Sequence, residues 1–199
     1  FKLYRIKSTI IKPKSFKGLK ILLYHDTNKL NFETHLSYLS CNYKVISLGE
    51  FVEHTESGKK LNNTFVITFD DGVKENFELL DTFKKYKIRP TIFITGYVDT
   101  KKAFWFNKFE QAKLISLLKI NNSDRLKKLS ETEEDLIRES LNTAEINQMK
   151  NFVDFQPHTF SHPSLVMCTD DEIENEIIQS CNIVRKLTGQ IVFAFAPPF

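Results

Sequence analysis

The chain carries two neighbouring carboxylates at the end of an apolar run: Thr64 to Phe69 (TFVITF) leads directly into Asp70, Asp71 and Gly72. Asp-Gly is an ordinary turn and Asp an ordinary helix cap. Two adjacent negative charges at the mouth of an apolar strand nevertheless call for a partner such as a cation. A second run, Val153 to Gln156, is followed by Pro157-His158-Thr159-Phe160-Ser161-His162-Pro163, which sets two of the five histidines four residues apart between prolines. The prolines argue for a shaped loop rather than a helix, and two imidazoles in such a loop can converge on a borderline metal. A chance pair is the competing explanation. Two histidines and one aspartate would leave an open coordination position for water, the arrangement of a catalytic rather than a structural site. A third run ends in Leu23-Tyr24-His25-Asp26, where His25 could reach the same pocket and donate a proton, although a lone histidine after a strand is usually structural. His35 and His54 fall in helical patterns and are assigned to surface or packing.

These residues need a scaffold that brings strand ends together. Short runs rich in branched and aromatic residues predict strands at Lys20 to Tyr24, Tyr43 to Ile46, Thr64 to Phe69, Thr91 to Ile94, Val153 to Gln156 and Ile191 to Phe195. Helical patterns lie between them at Phe32 to Leu39, Leu48 to His54, Val73 to Tyr86, from Asn142 onward, and at Asp170 to Leu187. Thr169 with Glu172, and Asn142 with Glu145, have capping-box spacing, and Gly189 stands where a left-handed helix cap belongs. The alternation indicates an α/β fold, whose ligands collect at the carboxyl ends of the strands. The stretch of about 99–140 has no strand-like run and opens with Phe104-Trp105-Phe106, so it is expected to be a helical insertion in a single domain spanning 1–199.

The composition limits the alternatives. Among 199 residues, 28 Lys+Arg against 25 Asp+Glu leave a net charge of +3, far from the dense basic surface of a nucleic-acid binder. With 41% hydrophobic and 27% charged residues the chain is globular, and no run approaches the roughly 18 apolar residues of a membrane span. Three cysteines without a close pair indicate neither a disulfide framework nor a cysteine zinc site, and buried thiols are expected. The chain starts at Phe1 and ends within Ala-Pro-Pro-Phe after a strand-like run, so its true start and a C-terminal continuation are expected to be missing.

Taken together, the segments resemble the polysaccharide deacetylase family, the NodB-homology carbohydrate esterases. Thr68-Phe69-Asp70-Asp71-Gly72 is similar to the family's first motif, and His158-Thr159-Phe160-Ser161-His162-Pro163-Ser164-Leu165 to its second, H-[ST]-x-x-H followed by Pro and Leu. Phe195-Ala196-Pro197-Pro198-Phe199 resembles the start of a third, with Ala196 where many members have an Arg that orients the catalytic Asp. Leu23-Tyr24-His25-Asp26 is similar to a permuted branch that de-N-acetylates poly-N-acetylglucosamine, which often lacks that Arg. The resemblance, with about seven βα-like units, implies a distorted, incomplete (β/α) barrel.

It further implies that Asp71, His158 and His162 hold one divalent metal, zinc by ligand type, with cobalt, nickel or iron also fitting. Asp70 would be the base, His25 the acid for the departing sugar amine, and the backbone N–H of Phe199 an oxyanion donor. Trp105 would stack on a sugar face. The implied activity is metal-dependent removal of N-acetyl groups from an amino-sugar polysaccharide in the cell envelope or outside the cell. Its rivals are an O-acetyl esterase, a carbohydrate-binding homologue with weakened turnover and, last, a phosphohydrolase, for which the chain offers no Gly-rich phosphate loop or clustered Arg.

Overall fold

The computed structural model describes residues 13–100, 103–132 and 137–199. Residues 1–12, and 101–102 and 133–136 of the expected insertion, lie outside the described residues. Strand β1 (Leu19–Tyr24) is followed by α1 (Lys29–Asn42), β2 (Lys44–Ile46), α2 (Leu48–Glu56) and β3 (Thr64–Phe69). A 3-10 turn (Lys74–Leu79) then runs into α3 (Leu80–Tyr86), ahead of β4 (Thr91–Ile94). The insertion supplies a 3-10 turn (Trp105–Asn107), α4 (Gln111–Leu118) and α5 (Asn122–Ser130). The chain continues through α6 (Thr143–Met149), β5 (Asp154–Pro157), a 3-10 turn (Leu165–Met167) and α7 (Asp170–Thr188).

All strand pairs are parallel. Strand β1 runs in register along the whole of β3, from Leu19 opposite Thr64 to Tyr24 opposite Phe69. The other edge of β3 is shared: β2 takes Thr64 to Val66, and β4 takes Thr68 and Phe69. Strand β5 lies beyond β4. All six residues of β3 are buried, as the continuous apolar run of a parallel strand covered on both faces requires. Phe65, Ile67 and Phe69 enter the larger core with Phe32, Leu36, Phe83, Ile92 and Phe155, whereas Val66 faces a smaller cluster with Ile46, Leu48 and Phe93. That alternation is the two-residue period of a strand.

The helix ends follow the sequence signals. Thr169 and Glu172 form a reciprocal capping box at the start of α7, and Asn142 and Glu145 form another at α6. Gly189 closes α7 in the left-handed conformation. Ser47 and Glu50 make a third capping box, at α2.

Two expected elements differ. Val73 to Tyr86 is not one helix, because its first turn is 3-10. There Asn76 is fully buried and donates from Nδ2 to the carbonyl of His25 (3.0 Å), and the Lys74 N–H donates to the carbonyl of Glu139 (2.8 Å). Ile191 to Phe195 does not join the sheet as a strand. The Gln156 side chain stands in its way, accepting from the N–H groups of Phe193 (2.9 Å) and Ala194 (3.0 Å) and donating to the carbonyl of Ile191 (3.0 Å). Side-chain amide bonds thus replace a backbone ladder at this edge. The three cysteines are free and none is fully buried: Cys41 is exposed, and Cys168 and Cys181 are half-buried.

Candidate active site

The carboxyl ends of β1, β3 and β5 converge on a cavity of about 620 Å³ whose lining includes His25, Asp70, Asp71, His158, His162 and Phe199. The rim is built with unusual backbone. Asp71 (φ 69°), Thr159 (φ 64°) and His162 (φ 54°) are left-handed without being glycine. Each such residue costs on the order of 1–3 kcal/mol and persists only where its surroundings over-determine it. The turn after β3 is fixed by Gly72, whose N–H reaches the Asp70 carbonyl (2.9 Å) and whose carbonyl accepts from Leu141 (2.9 Å). Gly72 itself is left-handed (φ 68°), and a Cβ there would lie 2.7 Å from Cγ2 of Ile94. Glycine is therefore demanded twice over at this position.

Asp71, His158 and His162 are all buried, and their ligand-capable atoms lie within 4.8 Å of one another. No other trio of His, Cys, Asp or Glu comes together in this way among the described residues. Nε2 of His158 is 3.3 Å and Nε2 of His162 3.0 Å from the same Asp71 oxygen, Oδ1. His158 Nδ1 lies 2.8 Å from the carbonyl of Ala196, to which only an N–H can donate. In the neutral ring, Nε2 of His158 is then a bare lone pair facing Asp71. Asp71 Oδ1 has no hydrogen-bond donor of its own. Lone pairs converging in a buried pocket are satisfied by a cation, and the carbonyl behind His158 is the outer partner that fixes a ligating ring. The trio fits one divalent metal ion.

The electrostatics agree. Burial alone would raise the Asp71 carboxyl, but the His158 and His162 imidazoles, when protonated, hold it well below the ordinary carboxylate range, so it stays charged. Burial holds His162 below the ordinary imidazole value, favouring the neutral ring that can ligate. The neighbouring Asp70 behaves differently. Burial raises its carboxyl, against the opposing pull of His158 and His25, and its Oδ1 has no partner. One member of the pair thus lies against the two histidines, while the other lines the cavity with a buried oxygen that has no hydrogen-bond partner.

His25 reaches the cavity because the Asp70 N–H donates to the Tyr24 carbonyl (2.9 Å), extending the β1–β3 ladder to the rim. Phe199 lines the cavity and packs edge-on against His162, with ring centroids 4.8 Å apart. Trp105 does not stand where a sugar could stack on it. It is 2% exposed and lies behind the wall, with Nε1 donating to the carbonyls of Ser161 (3.2 Å) and His162 (3.1 Å). Phe104 and Phe106 border the cavity; Phe104 is itself fully buried, and the half-buried Phe106 packs with its ring centroid 4.2 Å from that of His162. The aromatic trio has to divide between wall and backing because only one side of this short turn faces the cavity.

The family model for polysaccharide deacetylase matches residues 57–199, most of the chain. The chain belongs to the polysaccharide deacetylase family. Similar solved structures include a polysaccharide deacetylase from Bacillus cereus, 22% identical with a TM-score of 0.60, covering 91% of this chain and 50% of that one. The Streptococcus pyogenes deacetylase PplD in complex with acetate is 17% identical with a TM-score of 0.61, covering 93% of this chain and 75% of that one. IcaB from Ammonifex degensii is 15% identical with a TM-score of 0.63, covering 92% and 75%. These likenesses show the shared fold, and this chain spans half the length of the Bacillus protein. No curated protein sequence matches the chain.

Several residues that support the site gave little sign of it in the sequence. Glu176 accepts from the N–H groups of Phe160 (2.8 Å) and Ser161 (2.7 Å), and Arg125 reaches Ser161 from the insertion. Glu176 did leave a trace, being an acid set among the apolar positions Ile173, Ile177 and Val184 of an amphipathic helix. Arg125 left none.

Proposed function

We propose that this member of the family is a metal-dependent hydrolase that removes N-acetyl groups from an amino-sugar polysaccharide and releases acetate. The observation that carries this reading is the buried trio Asp71, His158 and His162 with an uncommitted carboxylate, Asp70, beside it. One carboxylate and two imidazoles suit zinc best, and such an ion supplies a polarised acetamide carbonyl and an acidified water. Asp70 is the proton acceptor: it lines the cavity, its Oδ1 has no hydrogen-bond partner, and burial has raised its affinity for a proton toward that of a working base. His25, at the end of the neighbouring strand and on the same cavity, holds the proton that the departing amine takes. The Phe199 backbone N–H is assigned to the developing oxyanion. Phe104 and Phe106 give an apolar wall that excludes water from the acetyl group. A poly-N-acetylglucosamine-like or other surface glycan is the proposed substrate.

The test pairs elemental analysis with acetate release from N-acetylglucosamine oligomers. About one equivalent of metal per chain, with acetate release abolished by a chelator and restored by zinc, is the expected result. A chain that takes up no metal even with zinc added would overturn the reading and favour a carbohydrate-binding protein. Acetate released from O-acetylated but not N-acetylated oligomers would move the substrate to an ester.

A further inference from the structure

The insertion brings a buried charge to the histidine loop. Arg125 on α5 is 2% exposed, a rare position for a guanidinium, and burying that charge is costly unless its donors are used. Nη2 donates to Asn122 Oδ1 (2.6 Å) and to Ser161 Oγ (3.0 Å), Nε to Asn122 Oδ1 (3.2 Å), and Nη1 to the Ser161 carbonyl (3.4 Å). The guanidinium also lies over the Trp105 ring, 4.8 Å from its centroid.

Ser161 is held from the opposite side by α7. Its N–H and its hydroxyl both donate to Glu176, at 2.7 Å and 2.5 Å. Trp105 adds its Nε1–H to the Ser161 and His162 carbonyls. Every polar group of Ser161 is therefore committed, between a buried cation from the insertion and a buried anion from the core. The next residue is the left-handed His162, and Thr159 on the other side of the turn is left-handed too. Apolar side chains would have filled this space; only directional donors and acceptors fix the strained backbone in one conformation.

We infer that Arg125 is a positioning residue for His162: with Glu176 it pins Ser161 from both sides, and through that residue it fixes the turn that aims the imidazole at Asp71 and His158. The inference rests on the reading that these three residues hold a divalent ion, and it makes the insertion part of the metal site.

The experiment measures zinc affinity by competition with a chromophoric chelator on the full chain, for wild type, Arg125→Met, Arg125→Lys and Arg89→Met. Thermal unfolding of the metal-free proteins is recorded alongside. Arg125 acts one residue further out than a partner bonded to the ligand itself, so Arg125→Met is expected to weaken zinc binding about 10-fold, the lower end of what loss of such a partner costs. Arg125→Lys keeps the charge but not the planar fork, so it should recover only part of that loss. Arg89 pairs with Asp154 (2.6 Å) at the opposite end of β5. Arg89→Met should therefore lower the unfolding temperature yet leave zinc affinity within about twofold of wild type, separating a structural effect from a positioning one.

Zinc affinity within about twofold of wild type in a folded Arg125→Met protein overturns the inference. So does an equal loss in Arg89→Met. If Arg125→Met does not fold, Ser161→Ala decides: removing the bridging hydroxyl should weaken zinc binding at least about threefold, and unchanged affinity overturns the inference. Wild-type protein that binds no zinc overturns the functional reading itself, an outcome distinct from wild type and Arg125→Met binding equally well.

Discussion

Strands β1 and β3 pair in parallel over the same six residues, yet they present their chemistry differently. Strand β3 is buried throughout, whereas in β1 Ile21 and Leu23 are about half exposed. The difference extends to the residues that follow. Asp70 and Asp71 are buried in a turn fixed by Gly72, the Leu141 N–H and the side chain of Ile94, whereas His25 is exposed and tied chiefly through its own carbonyl to Asn76. A group whose geometry must hold to a few tenths of an ångström sits on the strand packed on both faces. His25, proposed only to deliver a proton, sits on the strand with an open edge.

The largest effect should come from the buried side. His158→Ala removes a ligand and leaves Asp71 with uncompensated charge, so bound metal should fall from about one equivalent to near zero and acetate release should vanish, as elemental analysis and an acetate assay would show. Asp70→Asn, on the same turn, should keep the metal but lower turnover by about 10²- to 10⁴-fold, since it removes only the proton acceptor. If Asp70→Asn lost its metal as well, the division of labour between the two aspartates would be wrong.

On the open side the losses should be smaller. His25→Ala should slow N-acetyl hydrolysis by about 10²-fold, with a weaker effect on an O-acetyl substrate, whose leaving group needs less protonation. Equal slowing of both substrates would mean that His25 does not act on the leaving group. Smallest is a contrast in stability between two left-handed glycines. Gly72→Ala meets Ile94 and should cost about 2–4 kcal/mol in denaturant unfolding, while Gly18→Ala, just before β1 with open space around it, should cost about 1 kcal/mol. Equal costs at the two sites would mean that the turn after β3 relaxes easily.

What could be read in advance was local. The buried strand and its acidic turn, the paired histidines between prolines, and the capping boxes of α6 and α7 are each written within a few consecutive residues, so spacing alone revealed them. Contacts across long separations were not legible. The 3-10 turn after Gly72 depends on Asn76 meeting a carbonyl 51 residues away, and the buried role of Trp105 depends on carbonyls 56 and 57 residues away. Likewise, nothing in the run Ile191 to Phe195 announces that a glutamine 35 residues earlier will intercept its backbone.

The carbonyl of Ala196 that orients His158 belongs to the main chain and not to any particular side chain. That contact depends on the path of the backbone: Gln156 holds the final segment so that a peptide oxygen arrives behind the imidazole. The side chain on which that contact depends thus lies about forty residues upstream. Drift at position 196 between small residues would go unpunished, and the same drift at 156 would not. A substitution survey of the third motif would report tolerance at the position that holds the ligand in place.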